Sequence, residues 1–241
     1  MILRRITQHL KDQNWFAVWL DLFIVVLGVF IGIQVANWND AQTERLDERQ
    51  YLVRLHGEIL ELIEINQELT IYGQESIDQI TIVVEQIVVS DEIINLNSSD
   101  CREVMGLHIF ADQIYLPATI EELISTGRLS LILNDDVRTA IIAFAQSIDS
   151  YHTLVEDVRS DRIVLSRKYP TLITMSAERT NHHCDFEGMR DSPSFRNDLV
   201  DSFYRYGSYT RNVVIEQQDK RKNLHLLLDE ELGIKHDEKT P

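Results

Sequence analysis

The chain has 241 residues, 44% of them hydrophobic, which is enough for one domain with its own core beside an apolar anchor. Only 9 Gly and 4 Pro occur, so a turn-rich sandwich or barrel is disfavoured and an all-α architecture is expected. The formal charge of −16 is unevenly placed: residues 1–15 carry net +2, the apolar stretch after them carries only Asp21, and residues 38–241 are left with −17, a balance that sets aside nucleic acid and anionic lipid surfaces as partners of the main domain.

Residues 1–14 read as an amphipathic leader. Ile2, Leu3, Ile6 and Leu10 recur at helical spacing, with Arg4, Arg5 and Lys11 elsewhere, as in a helix lying at a membrane interface. A frayed start with basic anchors fits the same residues. Residues 15–38 read as a transmembrane helix. The run from Phe16 to Ala36 holds only Asp21 and Gln34 as strongly polar side chains, and at a rise of ~1.5 Å per residue it covers roughly 31 Å, the thickness of bilayer hydrocarbon. Trp15, Trp19 and Trp38 are all the tryptophans of the chain and bracket this run, where indoles favour the headgroup level. A cleaved signal peptide is the rival reading. Its apolar core is shorter and ends in small residues, whereas Gln34-Val35-Ala36 is a poor processing site, so an uncleaved anchor is expected.

Basic residues near the two ends of the span almost balance, with Arg4, Arg5 and Lys11 before it and Arg45, Arg49 and Arg54 after it. The short, net-positive leader tilts the expectation towards a cytoplasmic N-terminus and an exported main domain. So do the two cysteines: Cys101 and Cys184 lie in polar, turn-like surroundings (NSSDC and NHHCD), where an oxidising compartment would let them pair and close a long loop. Two unrelated free thiols are the alternative.

Within the span, Gly28 and Gly32 form a small-xxx-small pair that lets another helix approach closely. At about 100° per residue Asp21 falls on the same face. A carboxylate at that depth is costly against lipid, so a helix–helix interface along Asp21, Gly28 and Gly32 is expected. Otherwise Asp21 reaches the headgroups and the glycines are incidental.

Residues 39–233 are expected to form a helical extramembrane domain, with 234–241 as a tail. Leu52, Leu55, Ile59, Leu62, Ile63, Ile77, Ile80, Val84 and Ile87 mark one stripe of a long helix continuing the span, which Gly57 or Gly73 could bend. Short helices follow over 90–118. Thr119 with Glu122 fits a capping box, and Gly127 fits a left-handed helix end. Asn134 caps a second long helix with Val137, Ile141, Phe144, Ile148, Leu154, Val155 and Val158 inward. Ser192-Pro193 opens a third, with Phe195, Leu199, Phe203, Tyr206, Val213, Leu224 and Leu228 inward, and Gly233 stops it. Three long helices with shorter ones between them suggest an antiparallel bundle.

The run from Asp21 to Asn39, an acidic residue, an apolar stretch with Gly28 and Gly32, then Gln34 and Asn37-Trp38-Asn39, resembles the anchor of an uncharacterised bacterial family of single-span membrane proteins known only as a domain of unknown function. The segment Thr119 to Arg138 is similar to that family's internal pattern, while Ala36 departs from it. The resemblance implies a bacterial inner-membrane protein and brings no activity with it.

No constellation for catalysis is found. Asn181-His182-His183-Cys184-Asp185 groups metal-ligand types, but consecutive residues point in diverging directions and lack the paired spacing of a zinc site. His108 and His152 read as ordinary helix residues. Glu121-Glu122 and Asp135-Asp136 sit in first turns, where the helix dipole favours them. Ser125-Thr126-Gly127 lacks the frame of a nucleophile elbow. The expectation is therefore a non-enzymatic interaction or accessory subunit without cofactor or metal, whose partners are the membrane and other transmembrane subunits or a second copy of itself. A membrane-tethered sensory or ligand-binding bundle is the alternative.

Overall fold

The computed structural model describes residues 15–235 except 91, 93–94, 111–113 and 178–181. The leader 1–14, residues 236–241 of the tail, and the side chains of Trp15 to Val18 and of Asp21 lie outside the described residues. Among the described residues the chain is almost entirely helical, with one two-residue antiparallel ladder. The elements are α1 (Trp15–Val84), a π-helical turn (Glu85–Val89), α2 (Ser98–Gly106), α3 (Ala118–Ser125), a 3-10 turn (Arg128–Leu131), α4 (Asp135–Ser160), α5 (Leu165–Lys168), β1 (Ile173–Thr174), β2 (His183–Cys184), α6 (Phe186–Asp191), α7 (Pro193–Tyr209), a π-helical segment (Thr210–Ile215) and α8 (Glu216–Leu232). The chain divides into two compact units, Met1–Gln50 and Tyr51–Pro241.

The first unit holds the apolar run. An 18-residue window of the described helix reaches a mean hydropathy of 1.8 with none of its residues buried. It is long and apolar enough to cross a membrane. Every described side chain from Leu22 to Leu46 is exposed, Phe30 by 60%. Neither Gly57 nor Gly73 interrupts the backbone of α1, because isolated glycines cost a helix only about 1 kcal/mol each and core contacts on either side outweigh that.

The second unit is built around a closed apolar core. Leu55, Ile59, Ile80, Val83 and Ile87 of the first helical stretch meet Val137, Ile141 and Phe144 of α4, Phe195 and Leu199 of α7, and Leu224 and Leu228 of α8. Each such side chain contributes roughly 1.5–3 kcal/mol by leaving water. α4 packs along α8 and against α7, and α5 against α7, where the Tyr169 hydroxyl donates to Asp198 at 2.6 Å. Burial and the adjoining Asp198 push the Tyr169 hydroxyl up to about 12, so it stays a donor.

Helix ends follow their side chains. Asn134 accepts from the N–H groups of Asp136 and Val137 at the start of α4, and Ser192 accepts from Phe195 N ahead of Pro193 at the start of α7. Gly127 (φ 69°) and Gly233 (φ 68°) take the left-handed conformation that ends α3 and α8. The capping box expected at Thr119 is replaced by a cap from another helix. Thr119 sits inside α3, its N–H donating to Glu58 Oε2 at 3.0 Å and its hydroxyl to Glu58 Oε1 at 2.7 Å. Glu122 instead accepts from the Tyr51 hydroxyl at 2.8 Å and from Arg54. The Tyr51 hydrogen bond, followed by Arg54, holds the Glu122 carboxyl below its ordinary range.

Two further expectations are corrected. The third long helix is not one α-helix: Thr210–Ile215 is wound as a π-helix, which accommodates an extra residue while Thr210, Val213 and Val214 stay buried. The cysteines, whose sequence neighbours are polar and turn-like, lie on buried apolar faces, Cys101 on α2 and Cys184 on β2, and they form a disulfide with Cα atoms 5.6 Å apart.

Candidate functional site

The site grows from a gap in an apolar stripe. Between Ile63 and Ile80 the fully buried positions of α1 are Asn66, Gly73 and Ser76, while the aliphatics Leu69 and Ile77 are only partly buried. Opposite them lies the π-helical segment. A Cβ on Gly73 would stand 2.9 Å from Thr210 Cγ2, so only glycine admits this approach. The space left is a cavity of about 110 Å³ bounded by Tyr72, Ser76, Glu103, Tyr206 and Thr210. The Ser76 hydroxyl donates to Glu103, and both side chains are buried. Desolvation first, and the Glu103 carboxylate second, push the Tyr72 hydroxyl up. Burial also raises Tyr206, against the pull of the neighbouring Ser76 hydroxyl. Both phenols are therefore held above their ordinary range, and π-helical windings of this kind recur where helices shape functional sites.

A groove of about 500 Å³ adjoins this cavity, sharing Tyr72, Gly106 and Ile109 with it. Its charged lining is basic throughout: Arg102 from α2, Arg162 from the turn after α4, and Arg167 from α5, with His108 and His182 beside them. In a chain of net charge −16 this is a local reversal of sign. Arg102 lies 3.9 Å from Glu103, and among the described residues Arg162 and Arg167 have no ion-pair partner within 4.0 Å. His108 Nδ1 donates to the Met105 carbonyl at 2.8 Å, and His182 Nδ1 accepts from Ser176 N at 3.3 Å. These bonds fix the tautomers and leave each ring's Nε2 for other contacts. Planar guanidinium groups converging on one concavity match carboxylate and phosphate oxygens.

The disulfide supports this wall. Cys101 precedes Arg102 directly, and its bond to Cys184 ties α2 to the strand that begins just after His182. Along His182-His183-Cys184 the side chains alternate as a strand requires: His182 lines the groove, His183 is exposed and Cys184 enters the core. Asp185 caps α6 by accepting from Gly188 N at 3.0 Å. The string is thus divided among four tasks, while His152 is an exposed residue of α4.

Gly28 and Gly32 stand open, with nothing within 4 Å of a Cβ built on either. The backbone of Asp21 lies in α1, and its side chain is outside the described residues. Glu121, Asp135 and Asp136 occupy first turns, and Thr126 Oγ1 donates to the Glu122 carbonyl at 2.6 Å in closing α3. Among the described residues, one group of metal-ligand types does converge, and the sequence reading passed over it: His56, His225 and Asp229. Its signal was the four-residue spacing of His225 and Asp229 on one helix face. No family model, curated protein or solved structure matches the chain.

Proposed function

We propose that the chain is a non-catalytic, membrane-anchored accessory protein of the bacterial inner membrane, with the main unit exported and the face of Gly28 and Gly32 available to other membrane helices. The observation that carries this reading is the unbroken exposure of the apolar run from Leu22 to Ala36. So many adjoining apolar side chains need a solvent other than water, and lipid or another apolar helix supplies it. The open surface at Gly28 and Gly32 supports close helix approach. The test is alkaline extraction of membranes from expressing cells, followed by native-condition sizing in detergent. The protein should stay with the membrane, and Gly28→Leu with Gly32→Leu should lose association. Release without detergent, or a mature chain beginning after Ala36, would defeat the reading.

The arginine groove favours a second reading, a tethered bundle that binds an anionic ligand. Calorimetry of the full chain in detergent with inorganic phosphate and with citrate tests it. Saturable binding that Arg162→Gln with Arg167→Gln abolishes would support it, and no heat beyond dilution would remove it.

A further inference from the structure

We infer that His56, His225 and Asp229 form a site for one divalent transition-metal ion, zinc being the best match in ligand type. His56 lies on α1, while His225 and Asp229 lie four residues apart on α8 and so present to one face. His56 Nε2 stands 2.8 Å from Asp229 Oδ1, and His225 Nδ1 stands 3.1 Å from Asp229 Oδ2. The ligand atoms all fall within 4.8 Å of one another. Around a tetrahedral ion with bonds of ~2.0–2.1 Å, neighbouring ligand atoms lie roughly 3.3 Å apart, so side-chain adjustments that close the widest separation by about 1.5 Å seat the ion.

The surroundings favour a built site over a chance meeting on the surface. Asp229 is buried, and the His56 and His225 side chains are only 13% and 12% exposed. Their rings stack with centroids 4.6 Å apart, which fixes the direction of both imidazoles. Two imidazoles and a carboxylate are a ligand set that zinc accepts with water in its fourth position, and the residual exposure leaves room for that water. The ion would clamp α8 to the first helical stretch of the same unit, distant in sequence by 169 residues between the two histidines. Binding free energy of this kind adds directly to folding stability.

The test uses the full chain in detergent, stripped with chelator and titrated with zinc chloride by calorimetry, and with cobalt chloride by visible absorption. One zinc per chain with a micromolar or tighter constant is expected, together with a cobalt spectrum of tetrahedral intensity. His56→Gln and His225→Gln should each weaken zinc at least about 100-fold, whereas His152→Gln, on an exposed surface, should leave it unchanged. The cobalt spectrum needs no variant, so the proposal stays testable if a substituted chain fails to fold. Absence of both the calorimetric site and the cobalt bands in the unaltered chain, or zinc binding that survives both substitutions, would overturn it and leave a hydrogen-bonded His-Asp-His knot in its place.

Discussion

The two units use the same aliphatic residues to opposite ends. From Leu22 to Val35 the leucine, isoleucine, valine and phenylalanine side chains are exposed on every side of the helix, whereas in the described part of Tyr51–Pro241 many of them close on each other in a buried core. The difference teaches that hydrophobicity alone does not define a core. Its angular distribution does: a stripe at three- and four-residue spacing demands a protein partner, and apolar character all round demands an apolar solvent.

The largest effect that sharpens the contrast is confined to the second unit. Replacing Cys101 and Cys184 with serine opens a loop of sequence separation 83, and the chain-entropy relation puts the loss at about 4–5 kcal/mol. Denaturant unfolding of the full chain in detergent, with and without reductant, measures it. Phe144→Ala should cost about 3–5 kcal/mol in the same assay through the cavity it leaves, while Phe30→Ala should leave the unfolding midpoint of that unit where it was. A comparable loss from both would break the comparison.

Glu58→Ala removes the acceptor that caps α3 from another helix, and a loss of about 0.5–2 kcal/mol is expected. The smallest effect is one of pH. Glu122 has a depressed carboxyl in the folded state, so its contribution is present above the unfolded carboxylate value and fades as pH falls through the folded one. Wild type should therefore exceed Glu122→Gln in stability at neutral pH, and the two unfolding midpoints should converge in acid.

The sequence showed the long apolar helix, the caps at Asn134 and Ser192, the stops at Gly127 and Gly233, and the inward faces of α4 and α7, because each depends on residues a few positions apart. What it hid depends on residues far apart. Glu58 replaces a local cap only because folding brings α3 against it, and the π-winding of Thr210–Ile215 has no periodicity that a reader of apolar spacing can see. The groove combines Arg102, Arg162 and Arg167, and none of these announces the others. Even so, Asn66, Gly73 and Ser76 fall in register with the apolar stripe. The reading of the stripe passed over that local failure of the pattern, which lies at the cavity.

The covalent bridge between Cys101 and Cys184 makes a ring that encloses α3, α4 and α5 but leaves both chain ends outside it. A protease that nicks the backbone anywhere inside that ring releases nothing. The two pieces travel together on a gel until a thiol reagent parts them, and the N-terminal stub keeps its severed companion.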